Sequence, residues 1–169
     1  EWGPDSEFGG WFDIDWESDR PYLQGKLLIP FLGDQYGAAL ESGGLQLKFE
    51  AEAGSLAVWA YDSHKLPICP LHYQRILGDT HPDLERLGDA FAHLCNWRPH
   101  IARRASDLKA ELARSAKDNP EVAAAIQAAV DHFNVPSDDL PRLARLHALI
   151  RDQHWRAAHF RVAADDINF

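Results

Sequence analysis

The chain has no methionine in 169 residues, not even at position 1, and so reads as a piece cut from a longer protein. Cysteine is nearly absent too. Cys69 and Cys95 stand alone with no Cys-x-x-Cys, which fits a reducing cytoplasm better than a disulfide framework. No apolar run approaches the roughly 18 residues that a membrane span needs, and no signal peptide is visible. Basic residues are scarce: 17 against 26 acidic ones, a formal charge of −9. That balance argues against nucleic acid or an anionic membrane as partner, since both require a basic surface. Gly-x-Ser-x-Gly, the P-loop and Gly-x-Gly-x-x-Gly are all missing, so nucleophilic hydrolase, nucleotidase and dehydrogenase chemistry have no support. None of the nine histidines falls in His-Glu-x-x-His or another ligand spacing. No metal is expected.

What is present is a core. With 46% hydrophobic residues and six tryptophans, the chain is expected to fold as one or at most two small domains. Trp11-Phe12-Asp13-Ile14-Asp15-Trp16 has the period of a strand, with Phe12, Ile14 and Trp16 on one side and Asp13 and Asp15 on the other. Two carboxylates beside indole planes suit a sugar, whose ring faces are apolar and whose edges carry hydroxyls. The plainer reading is an edge strand with a solvated acidic face. As a catalytic pair the two acids fail: they lie about 6.6 Å apart after two strand steps, but both present from one side. Glycoside hydrolysis needs carboxyl groups flanking the bond. No catalytic residue is assigned.

Residues 1–10 read as a loop, and Glu17–Gly25 as a connection. Lys26–Pro30 is a short strand closed by its proline, and Asp34 fits the cap of a short helix that Gly43-Gly44 stops. Leu45–Phe49 and Leu56–Tyr61 form a hairpin around Gly54. Asp62–Pro70 is read as irregular because of Pro67 and Pro70, and Leu71–Leu77 as one or two helical turns. From Thr80, taken as a cap, the period becomes 3.6. One helix carries Leu84, Leu87, Phe91 and Leu94 and is broken at Pro99. The next carries Ile101, Ala105, Leu108 and Leu112, with Arg103 and Arg104 able to pair with Asp107 and Glu111. A third starts at Pro120 with Val122, Ile126, Ala129, Val130 and Phe133, and ends over Asn134–Pro136. A fourth starts at Asp139 and Pro141 with Leu143, Leu146, Leu149 and Ile150. His154–Val162 fits either more helix or a returning strand. The fold class is α+β, mainly α-helical: a four-helix cluster plus a small antiparallel β-sheet. Residues 1–81 form a β-rich part, 82–153 the helical cluster and 154–169 a return segment.

Four blocks resemble one enzyme family. They are Phe12-Asp13-Ile14-Asp15-Trp16; KLLIPFLGDQYGAALESGGLQL from Lys26 to Leu47; His64-Lys65-Leu66-Pro67; and Arg161 to Phe169, reading RVAADDINF. They are similar, in this order and over nearly the whole chain, to segments of maltooligosyl trehalose synthase, a branch of the α-amylase superfamily (glycoside hydrolase family 13). The family's residues differ at Lys65 (Arg), Leu66 (Phe), Asp166 (Glu) and Phe169 (Tyr).

The resemblance implies an intramolecular transglucosylation. The reducing-end α-1,4 link of a maltooligosaccharide becomes an α,α-1,1 link, through a covalent glucosyl-enzyme with a nucleophilic Asp and an acid/base Glu, and without a cofactor. It implies an excised insertion segment of a (β/α)8-barrel enzyme, whose partner is the remainder of the catalytic barrel. The motifs that carry the family's two catalytic carboxyl groups do not occur here. The segment is therefore expected to wall the cleft, hold the reducing end and exclude water, which would otherwise turn isomerisation into hydrolysis. Trp11, Asp13, Asp15, Trp16, Tyr61, His64 and Lys65 are the candidate sugar contacts. The alternative is a non-catalytic helical module that binds a protein partner.

Overall fold

The computed structural model describes residues 1–78, 80–97, 100–134 and 139–162. Its strands are β1 (Leu27–Leu32), β2 (Leu45–Glu50), β3 (Ser55–Ala60), β4 (His64–Pro67) and β5 (Trp155–His159). Its helices are α1 (Tyr36–Glu41), α2 (Tyr73–Leu77), α3 (Pro82–Ala92), α4 (Ile101–Asp118), α5 (Pro120–Asp131) and α6 (Leu140–Arg151). The class is α+β. β2, β3 and β4 form an antiparallel sheet in that order, and β1 pairs with β5 in parallel. No described helix is long and apolar enough to cross a membrane.

The helices form where the apolar stripes place them. Leu84, Leu87 and Phe91 of α3, Leu108 and Leu112 of α4, Val122 and Ile126 of α5, and Leu146 and Leu149 of α6 are all buried. Helices α3, α4 and α5 pack on one another, with α2 against α3 and α5, while α6 lies mainly against α1 beside β5. One continuous core runs from Leu32 to Ala157 and joins the sheet to the helices. Glu111 reaches across to Arg86 of α3 at 2.7 Å.

The caps differ from the expected ones. Thr80 does not cap α3. Its hydroxyl donates to Leu77 O at 3.3 Å, while His81 Nδ1 accepts from Asp83 N at 3.1 Å. Pro82 explains the choice: it occupies the first helical turn, which makes the residue just before it the cap. Gln35 rather than Asp34 caps α1, and without a side-chain bond. Asn119 and Asp139 cap α5 and α6 through their side chains.

Three further expectations are corrected. Trp11–Trp16 is not a strand. Gly9–Trp11 is a 3₁₀ turn, and the next amides bond locally, Ile14 N to Phe12 O and Trp16 N to Ile14 O, both at 3.0 Å. Such i→i+2 bonds are γ-turns centred on Asp13 and Asp15, and two in succession keep a two-residue alternation without a partner strand. Phe12 is accordingly exposed rather than packed. Asp62–Pro70 is not all irregular, since β4 lies within it. Pro67 ends that edge strand, where its missing N–H costs no ladder bond. Nor does Pro30 close β1, which runs to Leu32 with its register shifted between Pro30 and Leu32. The segment after His154 resolves to a strand, β5. Two helices end sooner than expected: α5 stops at Asp131, before Phe133 and the expected end over Asn134–Pro136, and α3 stops at Ala92, where a 3₁₀ turn over His93–Trp97 takes Leu94. Pro99, Pro136 and the Ala163–Phe169 block lie outside the described residues.

Candidate functional site

The seven candidate sugar contacts fall into two groups, and both border β1. Trp11, Asp13, Asp15 and Trp16 lie on the γ-turn ribbon. Trp16 is half-buried and lines a groove of about 290 Å³ with Trp2, Phe8, Phe12, Leu27 and Ile29. Trp11 stands outside that groove with 78% of its surface exposed. Its ring meets Phe8 edge-on, with centroids 5.3 Å apart and planes at 84°. Asp13 and Asp15 are exposed beside it. The groove closes on Pro67 and Trp155, whose indole N–H donates to Pro67 O at 2.7 Å and ties β5 to β4.

Tyr61, His64 and Lys65 form the second group, at the turn from β3 to β4. Tyr61 and Asp62 both adopt left-handed backbone, with φ of 50° and 56°. Non-glycine residues rarely do so, and the turn is held by Tyr61 N donating to Gly44 O at 2.8 Å. His64 packs its ring 4.8 Å from Phe31 of β1 and bonds Ser63 Oγ at 2.9 Å. Lys65 is ion-paired with Glu50, which also accepts from Ser55 Oγ at 2.7 Å. Burial acts to raise the Glu50 carboxyl, but the Lys65 and Ser55 hydrogen bonds outweigh it and hold it below its ordinary range. Lys65 thus meets any sugar as half of an ion pair. Strand β4 connects the groups: His64 at its start is beside Phe31, and Pro67 at its end is in the groove.

A second concavity, of about 570 Å³, went unread in the sequence. It lies between α1, the end of α6 and β5, and is lined by Tyr22, Lys26, Tyr36, His147, Asp152 and Arg156 among others. Tyr36 Oη pairs with His147 Nδ1 at 3.0 Å, and burial pushes the phenol up to about 12 despite the nearby Arg156, so it stays neutral. The Arg156 guanidinium lies 4.9 Å from the Tyr22 ring centroid. The Lys26 ammonium donates to the carbonyls of Arg151 and Gln153. Burial lowers its pKa, with Asp152 opposing. The cavity follows from the parallel pairing of β5 with β1, which sets Arg156 opposite Leu28, a long-range pairing that local periodicity does not reveal.

Among the described residues no group of three or more His, Cys, Asp or Glu side chains is placed to hold a metal ion. No family model, curated protein or solved structure matches the chain.

Proposed function

We propose that the chain is the cleft-walling insertion of a maltooligosyl trehalose synthase, acting on maltooligosaccharides through an intramolecular transglucosylation whose nucleophile and acid/base are supplied by the barrel. The observation that carries this is the exposed Trp11 indole with Asp13 and Asp15 on the same ribbon, next to an aromatic groove. An indole plane covers the apolar face of a glucose ring, and carboxylates accept from its hydroxyls. Successive γ-turns hold the two acids in place, so little ordering entropy is lost on binding. The four family-like blocks in order supply the reaction class, and Trp11 and Trp16 serve to cover the reacting end of the chain and exclude water.

The test is the flanking sequence followed by an assay. The gene is extended in both directions, and the full-length product is incubated with maltopentaose. The reading expects barrel motifs on both sides and loss of reducing ends without matching release of glucose. Trp11→Ala in that enzyme should raise the hydrolysed share and the KM. Flanks without those motifs, or a full-length product that leaves reducing ends intact, overturn the reading. Concentration-dependent association with no sugar binding would instead favour a protein-interaction module.

A further inference from the structure

The cavity between α1, α6 and β5 has no part in the cleft reading, and its chemistry differs from that of the groove. Three cationic side chains line it, Lys26, Arg151 and Arg156, against one carboxylate, Asp152. That carboxylate is already engaged by Arg75 at 2.8 Å and Arg151 at 3.4 Å. Arg156 has no carboxylate partner among the described residues; its guanidinium instead lies against the Tyr22 ring, 4.9 Å from the centroid. In a chain of net charge −9 this is a local reversal of sign within a concave space. The apolar walls come from Tyr22, Tyr36, Ile150 and Trp155. The polar groups converging on it are the Arg156 fork and the Tyr36–His147 pair, closed at 3.0 Å.

From this arrangement we propose that the cavity binds a small organic oxyanion, a phosphate or carboxylate carried on a ring, with Arg156 gripping the anionic group and Tyr22, Tyr36 and Trp155 enclosing the ring. A guanidinium presents parallel N–H groups to two oxygens of one anion, a geometry an ammonium lacks. Stacking on Tyr22 fixes the plane of that fork before the ligand arrives, which reduces the ordering cost. Lys26 lines the same wall and adds a second cationic group there. The volume of about 570 Å³ exceeds what a single ring with one anionic substituent occupies, and lies within the usual range for small-ligand sites. The inference does not rest on the cleft reading: of the side chains that line the two concavities, only Trp155 is shared.

The test is a titration of the 169-residue chain, followed by backbone amide NMR, with phenyl phosphate, benzoate, inorganic phosphate and neutral phenol as probes. Binding of phenyl phosphate or benzoate is expected to shift the amides of β5, α1 and the end of α6. Whichever of the two binds more tightly identifies the preferred anion, and phenol should bind at least about tenfold more weakly. Arg156→Gln should weaken the anion by about tenfold or more. Arg156 is exposed, so the melting temperature should stay unchanged. Tyr36→Phe should weaken binding less, because it removes one polar group and keeps the wall. Trp11→Ala should leave anion binding alone while altering sugar contact, which separates failure of this inference from failure of the cleft reading. The proposal is overturned if neither anion binds, if phenol binds as tightly as they do, or if Arg156→Gln binds them as tightly as the parent.

Discussion

The side-chain amide of Asn134 meets both backbone groups of Leu47: its Oδ1 accepts from Leu47 N at 2.8 Å and its Nδ2 donates to Leu47 O at 2.6 Å. β2 is an edge of its sheet, and Leu47 would otherwise present these groups unpaired on the outer side. One residue just past α5 thus stands in for a neighbouring strand and fastens the helices to the sheet. Asn134→Ala is expected to destabilise by about 1–2 kcal/mol, the net worth of two part-buried hydrogen bonds. Asn134→Asp should cost at least as much, since it keeps the acceptor but turns a second oxygen toward Leu47 O. Denaturant melts of both variants check this, and an aspartate variant as stable as the parent would contradict it.

Gln153 plays a comparable part deeper in. It is buried, accepts from Cys69 N at 2.8 Å and donates to Leu149 O at 2.6 Å, with His72 Nδ1 at 3.0 Å. It therefore fixes the end of α6 against the turn before α2. Gln153→Leu keeps the volume and strands the Cys69 N–H and the His72 ring nitrogen. A loss of about 2–4 kcal/mol is expected, from one or two unsatisfied buried groups. Loss of under about 0.5 kcal/mol, the range of an ordinary surface change, would show that water replaces the amide.

The parts legible in the sequence are those that burial alone decides. Apolar stripes at Leu84–Leu94, Ile101–Leu112 and Val122–Phe133 report burial, and burial is what places a helix. The hairpin at Gly54 was legible for the same reason. Trp11–Trp16 misled because consecutive γ-turns and a strand share a two-residue period; only the destination of the amide hydrogen bonds separates them. β4 was hidden by prolines that mark an edge strand as readily as a loop. The parallel pairing of β1 and β5 joins residues well over a hundred positions apart, beyond the reach of local pattern. Of the candidate site, the two groups were nameable from residue type. Their convergence along β1, and the whole of the cationic cavity, depend on that pairing.

Gly54 turns the β2–β3 hairpin with φ of +58°, and a Cβ there would sit 1.8 Å from Lys109 O of α4. Both backbone strain and collision with a helix carbonyl oppose any side chain. Gly25 has φ of +65° but open space around its Cβ position. Gly54→Ala is expected to cost about 2–4 kcal/mol, strain plus overpacking, and Gly25→Ala about 1, strain alone. Equal melting temperatures for the two variants would contradict close packing of the hairpin on α4.

Acid should destabilise the fold in two stages. Burial holds His72 below the ordinary histidine value near 6.5, with Arg75 adding to it, and burial does the same to His154. The unfolded chain therefore binds more protons at these sites. Stability is fully present above about pH 6.5 and is lost as pH falls through the lower folded values. Glu50 and Asp152 are lowered as well: burial acts to raise both, and hydrogen bonds from Lys65 and Ser55, and from Arg75 and Arg151, prevail. Their contribution has the same sign in a lower window, lost as pH falls below about 4. The melting temperature should decline below about pH 6.5 and again below about pH 4, and replacing both histidines with asparagine should flatten the first decline. A melting temperature that rises on acidification from neutral pH would contradict this.

The 169-residue chain alone is expected neither to isomerise nor to hydrolyse maltooligosaccharides. Covalent glycosyl transfer requires a nucleophile and a proton donor on opposite sides of one bond, about 5–5.5 Å apart. The motifs supplying both in the resembling family do not occur in this sequence. The adjacent acidic pair, Asp13 and Asp15, sits on one exposed ribbon and approaches any sugar from one side. Binding by the chain alone should also be weak, because oligosaccharide contacts come from several cleft walls at once and, on the proposed reading, this segment would supply one. The measurement is incubation with maltopentaose, following reducing ends and free glucose against a boiled control. Turnover abolished by Asp13→Asn would make the ribbon an active site in its own right. Turnover indifferent to that change would place the chemistry on carboxylates elsewhere in the chain, and either result would end the view of this segment as a wall without catalytic groups.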